Sequence, residues 1–165
     1  DFLKKIKNFL NINDSQKISF SAEPKIDGIS ASLKYIDGIF KLGLSRGDGI
    51  TGEDITNNLK TIDDIPKKIN KPNFPKILDV RGEVYITNSD FKKIDKKFAN
   101  PRNAAGGSLR QKNSYETSKI PLKYFAYGFG AISPMIFKTQ SDFLKTIQTW
   151  NFSTNPLSEK IERTI

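Results

Sequence analysis

Alternation of apolar and polar residues marks two neighbouring strands near the start of the chain. The runs 29–35 and 39–45 both favour extended structure. Between them lies Ile36-Asp37-Gly38, and an Asp-Gly pair between alternating runs is the strongest short-range signal for a hairpin. We therefore predict an antiparallel pair of strands here. The run 17–23 alternates loosely, and we expect it to continue through Lys25 and Asp27 as a strand of the same sheet.

A further strand is predicted over 77–86. One parity is apolar apart from Gly82, so it should face the core: Leu78, Val80, Val84 and Ile86. The other parity puts Arg81 beside Glu83 on a polar face. An exposed ion pair between them would contribute well under about 1 kcal/mol. The functional alternative is a carboxylate aimed at a ribose hydroxyl or a metal.

Helical periodicity appears in several other stretches. Apolar residues recur every three or four positions over 2–10, which predicts a helix ending near residues 11–14 and packed on the domain. Another helix should hold Ile55, Leu59 and Ile62 in the core, with Thr51 as its cap. A short helix capped by Asn88 or Ser89 should turn Phe91 and Ile94 inward. The last helix, 141–152, carries the core residues Phe143, Ile147 and Trp150, and a strand is expected over 122–129.

The segment 98–111 is rich in small residues. If 103–110 is helical, Gly106 and Gly107 weaken that helix by about 1 kcal/mol each relative to Ala. Such a cost suggests a packing or ligand reason for the glycines, the alternative being a plain loop.

Composition limits the chemistry that the chain can perform. The 165 residues fit one domain with a real core, and they include neither Cys nor His. Disulfides, cysteine-based zinc sites and His general bases are thereby excluded within the chain. The net charge of +9 suits a polyanionic partner such as nucleic acid, although a Lys-rich surface without a partner would give the same number. No apolar run approaches the roughly 20 residues needed to span a bilayer, so we expect no membrane partner.

Arginine is rare and unevenly placed. The chain has 22 Lys but only 5 Arg, and four of the five stand in Gly- or Asn-rich stretches: Arg46, Arg81, Arg102 and Arg110. The guanidinium is a planar fork suited to phosphate and carboxylate, which the ammonium of Lys is not. These four arginines are therefore candidates for ligand contacts.

The stretch Glu23-Pro24-Lys25-Ile26-Asp27-Gly28 carries the strongest candidate chemistry. In extended backbone Lys25 and Asp27 point to the same side, and Gly28 permits a close approach. A lysine amine that is kept partly neutral is a nucleophile. The motif by itself is weak, because in a lysine-rich chain it is more often a solvated strand end. A loop with three glycines follows at 45–54, with Arg46 at its entrance, and it could approach phosphate or ribose.

Five blocks together resemble the adenylation (nucleotidyltransferase) domain of bacterial NAD-dependent DNA ligases. They occur in the family's order, and they are EPKIDG (23–28), SRGDGITGEDIT (45–56), VRGEVYI (80–86), FANPRNAAGGSLRQ (98–111) and PLKYFAYGFG (121–130). The second and fourth blocks resemble this family more than ATP-dependent ligases or capping enzymes. The resemblance implies an α+β fold whose antiparallel sheets, with flanking helices, form a pocket for AMP.

The resemblance also implies a role for each candidate residue. Lys25 would attack the adenylyl phosphorus of NAD and form lysyl-AMP, with Asp27 orienting or activating the amine. Glu23 would lie at the adenine, Arg46 at the ribose or phosphate, and Glu83 at the ribose or near a magnesium ion. Arg102 and Arg110 would face DNA or the cofactor phosphates. A free Lys amine has a pKa of about 10.4 and is therefore protonated at neutral pH. We expect a cleft in which nearby cations and desolvation favour the neutral form.

The same resemblance sets expectations for the whole protein. Residues 1–165 would be a partial adenylation domain, because later Asp-Gly and lysine motifs of the family are absent. The small N-terminal domain for the nicotinamide half of NAD is also expected to be missing, as are the C-terminal OB, zinc-finger, helix–hairpin–helix and BRCT domains. Zinc would belong only to one of those domains. Gly106 stands where the family usually has Ala, and the stretch before Phe98 is shortened. We expect a cytoplasmic monomer that acts on nicked double-stranded DNA with NAD and Mg²⁺, the segment alone being a poor ligase.

Two other readings remain open from the residues alone. The chain could be a non-catalytic, basic nucleic-acid-binding module, or an adenylation domain of the ATP-dependent type.

Overall fold

The computed structural model describes residues 2–13, 15–46, 52–94 and 98–163. Within these ranges it has helices and strands in the order α1 (Phe2–Leu10), β1 (Ile18–Ala22), β2 (Ile29–Ile36), β3 (Ile39–Ser45), α2 (Thr56–Leu59), β4 (Ile77–Tyr85), α3 (Asn88–Phe91), α4 (Pro101–Leu109), α5 (Ser114–Ser118), β5 (Lys123–Ser133), α6 (Gln140–Thr149) and β6 (Glu159–Arg163). The mixture of helices with antiparallel strands confirms the predicted α+β class.

The chain forms two compact units, of which the smaller combines residues 1–24 and 156–165. In it β1 pairs antiparallel with β6, and Phe2 of α1 contacts Phe20 with 6.1 Å between ring centroids. The helix is confirmed, but its apolar face is not buried as predicted. Phe9 is 89% exposed, and Phe2 and Leu10 are exposed as well. The pairing of β6 was not predicted, because residues 159–163 are all charged apart from Ile161 and so show no alternation of apolar and polar positions.

The larger unit, Lys25–Asn155, is built on a four-stranded sheet in the order β3-β2-β4-β5. All neighbours in this sheet run antiparallel. The predicted hairpin is confirmed: Asp37 and Gly38 both have positive φ, 49° and 74°, as a two-residue type I′ turn requires.

One face of this sheet and the surrounding helices form the hydrophobic core. The predicted inward parity of β4 is confirmed, and Leu78, Val80 and Val84 are fully buried. Phe143 and Ile147 of α6 are also fully buried, and Trp150, which follows that helix, is 5% exposed. Ile55, Leu59 and Ile62 are buried in the core, which confirms the prediction that they are structural residues.

Lys25 and Asp27 do not lie in a strand, which corrects the sequence-based expectation. Residues 23–27 form an irregular connection between β1, which belongs to the two-stranded sheet, and β2, which belongs to the four-stranded one. The alternation in 17–23 was real, but it belongs to a different sheet from the hairpin.

Two helix starts also differ from prediction. α2 begins only at Thr56, whose N–H donates to the carboxylate of Asp54 at 2.9 Å. The predicted cap Thr51 lies outside the described residues, as do Gly47 and Gly49 of the glycine loop. α3 is capped by Thr87 rather than Asn88 or Ser89, and Phe91 and Ile94 are only half-buried.

No helix in the described ranges has both the length and the apolar character needed to cross a membrane.

Candidate active site

Lys25 and Asp27 lie on the exposed connection that leads into β2. Gly28 fixes the end of that connection against β4. A Cβ at Gly28 would overlap the carbonyl oxygen of Val84 and would stand 2.9 Å from Cγ of Glu83. Close packing of the two backbones therefore requires glycine at this position. The same packing places the segment that carries Lys25 beside β4.

Arg102 reaches this connection from α4. Its Nη1 donates to Oδ1 of Asp27 at 3.2 Å, although the two residues are 75 positions apart in sequence. The helix is set at its start by Asn100, whose side chain accepts the N–H of Asn103 at 2.8 Å, and by Pro101 in the first turn. Asn-Pro-Arg-Asn is thus a helix start that places the guanidinium on the lysine motif.

The glycines of α4 do have a packing reason, as predicted. A Cβ at Gly107 would stand 2.6 Å from the ring of Phe98, and one at Gly106 would stand 3.2 Å from the side chain of Ile29. Both glycines therefore let α4 lie close to its neighbours, Gly106 against β2 and Gly107 against the segment before the helix.

Glu83 is the buried acid of the site. It is 8% exposed, and its Oε2 accepts the hydroxyl of Ser30 at 2.9 Å. Burial raises the pKa of the Glu83 carboxyl, and the Ser30 hydrogen bond, the charge of Arg102, the N–H of Gly28 and the charge of Lys25 act in the opposite direction. The predicted neighbour Arg81 makes no ion pair with Glu83 in the described structure, so the polar face is organised differently from the prediction.

Four predicted residues are therefore brought together from three separate sequence blocks. They are Lys25, Asp27, Glu83 and Arg102, linked by one ion pair and by the electrostatic effect of both cations on Glu83. The Lys25 side chain itself is exposed, which corrects the expectation of a desolvating cleft around it. Within the described residues the amine has a charged setting rather than a buried one.

Arg46 lies on the wall of a neighbouring cavity of about 470 Å³. The wall also contains Arg81 and Tyr127, together with Ser30 and Ser32 of β2. Two guanidinium groups, hydroxyls and an aromatic ring suit a ligand with phosphate and a planar ring. The sequence analysis missed Ser30, Ser32 and Tyr127. One pattern could have indicated the two serines: along β2, the polar residues Ser30, Ser32 and Lys34 alternate with buried positions.

Arg110 occupies a different place from Arg102. It lies at the other end of α4, about 12 Å along the helix axis, and its Nε donates to Glu53 at 3.3 Å. It lines a cavity of about 680 Å³ with Lys41, Lys60 and Lys112 among its neighbours. Glu53 and Asp54 also line it, so four basic residues face two acidic ones, and this excess of positive charge suits a polyanion.

A buried polar network holds this end of α4. Nδ2 of Asn58 donates to the carbonyl of Gln111 at 2.8 Å and to Oγ1 of Thr117 at 2.7 Å. The hydroxyl of Thr117 in turn donates to the carbonyl of Ser108 at 2.8 Å. The network therefore holds the backbone on both sides of Arg110, at Ser108 and Gln111.

Glu23 belongs to the smaller unit, where its Oε1 accepts the hydroxyl of Ser21 at 2.8 Å. Its expected place at the adenine stays a prediction.

The described residues do not form a magnesium cage. They contain no group of three or more acidic side chains able to hold a metal ion. Glu83 accepts from the hydroxyl of Ser30, and Asp27 accepts from the guanidinium of Arg102. Magnesium near Glu83 stays a prediction.

The family model described as NAD-dependent DNA ligase adenylation domain matches residues 1–164. The chain belongs to this family. The DNA ligase of Pelagibacter ubique (strain HTCC1062) is 63% identical over 161 residues, which cover 98% of this chain and 24% of that protein. The DNA ligases of Rickettsia canadensis (strain McKiel) and Citrifermentans bemidjiense are 48% and 44% identical, over 96% and 98% of this chain.

The adenylation-domain chain spans about a quarter of the length of these relatives: 24% of the Rickettsia protein and 25% of the Citrifermentans protein. The family membership confirms the resemblance drawn from the five sequence blocks.

Proposed function

We propose that this chain carries the adenylate-accepting lysine of an NAD-dependent DNA ligase, and that Lys25 is that lysine. Nζ of Lys25 attacks the adenylyl phosphorus of NAD and forms a P–N bond. The bond between that phosphorus and the bridging pyrophosphate oxygen breaks, nicotinamide mononucleotide leaves, and the amine proton passes to solvent. A phosphoramidate, lysyl-AMP, remains on the chain.

The convergence of Lys25, Asp27, Glu83 and Arg102 is the observation that carries the proposal. Asp27 orients the amine from two residues away, while Arg102 pairs with Asp27 and adds positive charge where the phosphoryl oxygens arrive. Glu83 accepts ribose hydroxyls. Arg46, on the wall of the adjoining cavity, contacts ribose or phosphate. Glu23 is assigned to the adenine on the family resemblance alone.

The later steps are proposed for the complete protein. AMP passes from Lys25 to the 5′-phosphate of a nick in duplex DNA, and the 3′-hydroxyl then displaces AMP and seals the strand. Arg110 and the lysines around its cavity contact DNA phosphates, with the salt dependence that such contacts give. Magnesium is proposed to accompany the reaction without an assigned ligand on this chain. The proposed setting is the cytoplasm, and the proposed form is a monomer in which further domains complete the ligase.

Intact-mass measurement tests the proposal. The complete protein that contains residues 1–165 is incubated with NAD and magnesium, and its mass should rise by one AMP. Lys25→Ala should abolish the adduct. Lys17→Ala is the matched control, since it removes another exposed lysine, which stands just before β1. An adduct formed from ATP and not from NAD would assign the chain to ATP-type adenylation. DNA binding without any adduct would support the alternative hypothesis, a non-catalytic nucleic-acid-binding module.

A further inference from the structure

Ser30 and Glu83 form a cross-strand pair that the sequence does not bring together. They are 53 residues apart but stand directly opposite each other in the antiparallel ladder between β2 and β4. Directly opposed side chains on one face of a sheet lie close enough to interact. The 2.9 Å hydrogen bond between Ser30 Oγ and Glu83 Oε2 is therefore built into the sheet register.

Glu83 needs such a partner because it is buried. A buried carboxylate without a hydrogen-bond donor is strongly disfavoured. Burial is the largest influence on the Glu83 pKa and raises it, and the Ser30 hydroxyl is the largest influence in the opposite direction. Two cations act on it, Lys25 on the connection before β2 and Arg102 on α4. The phenol of Tyr124 on β5 is a third titratable neighbour, and burial raises the pKa of this phenol, so it stays neutral.

Ser30 also lines the cavity that holds Arg46, Arg81 and Tyr127. Its hydroxyl thus stands between that cavity and the buried carboxylate. A carboxylate has about four acceptor positions, so one that accepts from Ser30 and from the N–H of Gly28 keeps capacity for a substrate hydroxyl.

We propose that Ser30 is a positioning residue for Glu83, holding its carboxylate toward the ribose hydroxyls of the bound dinucleotide. This inference rests on the proposed function of Lys25 and Glu83. Ser30 touches neither the reacting phosphorus nor the amine. It acts through Glu83, by orienting the carboxylate and by favouring its ionised, acceptor form.

The test compares Ser30→Ala and Ser30→Thr in the complete protein. Alanine removes the hydroxyl beside an existing cavity, so no steric conflict is created, whereas threonine keeps a hydroxyl on the same atom. The rate of lysyl-AMP formation is measured against NAD concentration from pH 5 to pH 9. Ser30→Ala should raise KM for NAD about tenfold with kcat little changed, as expected when binding common to ground and transition states is lost. The acid limb of the kcat/KM profile should move to higher pH. Ser30→Thr should restore both.

Ser19→Ala is the control. Ser19 also donates to a glutamate, with 3.4 Å between its Oγ and Oε1 of Glu162, but this exposed pair lies in the two-stranded sheet. It should leave KM and the pH profile unchanged. Wild-type values of KM and acid limb in Ser30→Ala would overturn the inference. So would a uniform loss of kcat with an unmoved acid limb, because that pattern indicates a merely structural role.

A second measurement separates this inference from the proposed function. Carbon-13 NMR titration of the Glu83 carboxyl should give a higher pKa in Ser30→Ala than in the wild type. If the wild type forms no lysyl-AMP, the proposed function fails, and the titration still decides the Ser30–Glu83 relationship. An unchanged Glu83 titration refutes that relationship whether or not the protein is adenylated.

Discussion

Arg102 Nη1 lies 3.2 Å from Oδ1 of Asp27, which ties the start of α4 to the segment that carries Lys25. The side chains are 52% and 78% exposed. Exposed ion pairs contribute at most about 1 kcal/mol to stability, so the pair has little role in holding the fold. Its position beside the lysine motif gives it a role in catalysis under the proposed function.

Arg102→Ala is therefore expected to separate activity from stability. The rate of lysyl-AMP formation should fall at least about tenfold, since a cation near the transferring phosphoryl group is lost. The melting temperature should change little. Lys119→Ala is the control, because it removes a similarly exposed ion pair, with Glu116, at the end of α5. A large loss of melting temperature with normal adenylation in Arg102→Ala would contradict this interpretation.

Gly28→Ala should destabilise the protein, because the added Cβ meets the backbone of β4 at Val84. Backbone cannot rotate away as a side chain can, so a cost of at least about 1–3 kcal/mol in the free energy of unfolding is expected. Urea denaturation followed by circular dichroism measures it. Gly128→Ala is the control in the same sheet, since a Cβ at Gly128 has no neighbour within 4 Å. Equal effects of the two substitutions would refute the packing argument.

Asn58→Ala is expected to cost about 1–3 kcal/mol of stability. The change leaves the buried carbonyl of Gln111 and the hydroxyl of Thr117 without the amide that they share. The exposed neighbour Asn57→Ala should lie within about 0.5 kcal/mol of the wild type. Denaturation of both variants checks this. Because the network fixes the end of α4, Asn58→Ala should also weaken DNA binding through Arg110. Normal stability and normal DNA binding in this variant would show that the network does not hold the end of α4.

Glu83 should make stability depend on pH in a defined direction. Burial raises its pKa in the folded protein above the ordinary 4.5, so between these two values the folded state binds more protons than the unfolded state. The free energy of unfolding of the wild type relative to Glu83→Gln should therefore fall as pH rises through this window, and level off above the raised pKa. Denaturation from pH 4 to pH 8 measures the difference. A difference that grows with pH would mean that Ser30, Arg102 and Lys25 outweigh burial.

Local patterns predicted the elements that depend on local physics. The Asp37-Gly38 hairpin, the inward parity of β4 and the buried residues of α6 all follow from turn chemistry and periodicity, and the structure confirms them. The sequence did not reveal which sheet β1 joins, because its partner β6 lies more than a hundred residues away and pairing is a tertiary property. The exposure of Phe9 was missed because burial of a helix face is also a tertiary property.

Sequence motifs named four residues that the structure brings together, but they did not predict the contacts among them. Lys25, Asp27, Glu83 and Arg102 were found from their motifs and family order. The Arg102–Asp27 ion pair and the Ser30–Glu83 hydrogen bond depend on helix placement and strand register, which no single motif encodes. Ser30 has an ordinary polar strand position, so only the register shows that it faces a buried acid.

Trp150 is the only tryptophan in the sequence, and its ring centroid lies 4.7 Å from that of Phe74 and 6.0 Å from that of Phe137. Its fluorescence is therefore a one-position optical probe of the aromatic cluster behind the sheet. With excitation selective for tryptophan over the five tyrosines, emission changes in this chain report on that cluster without site-specific labelling. Melting of the core can then be followed optically while adenylation is followed independently by mass.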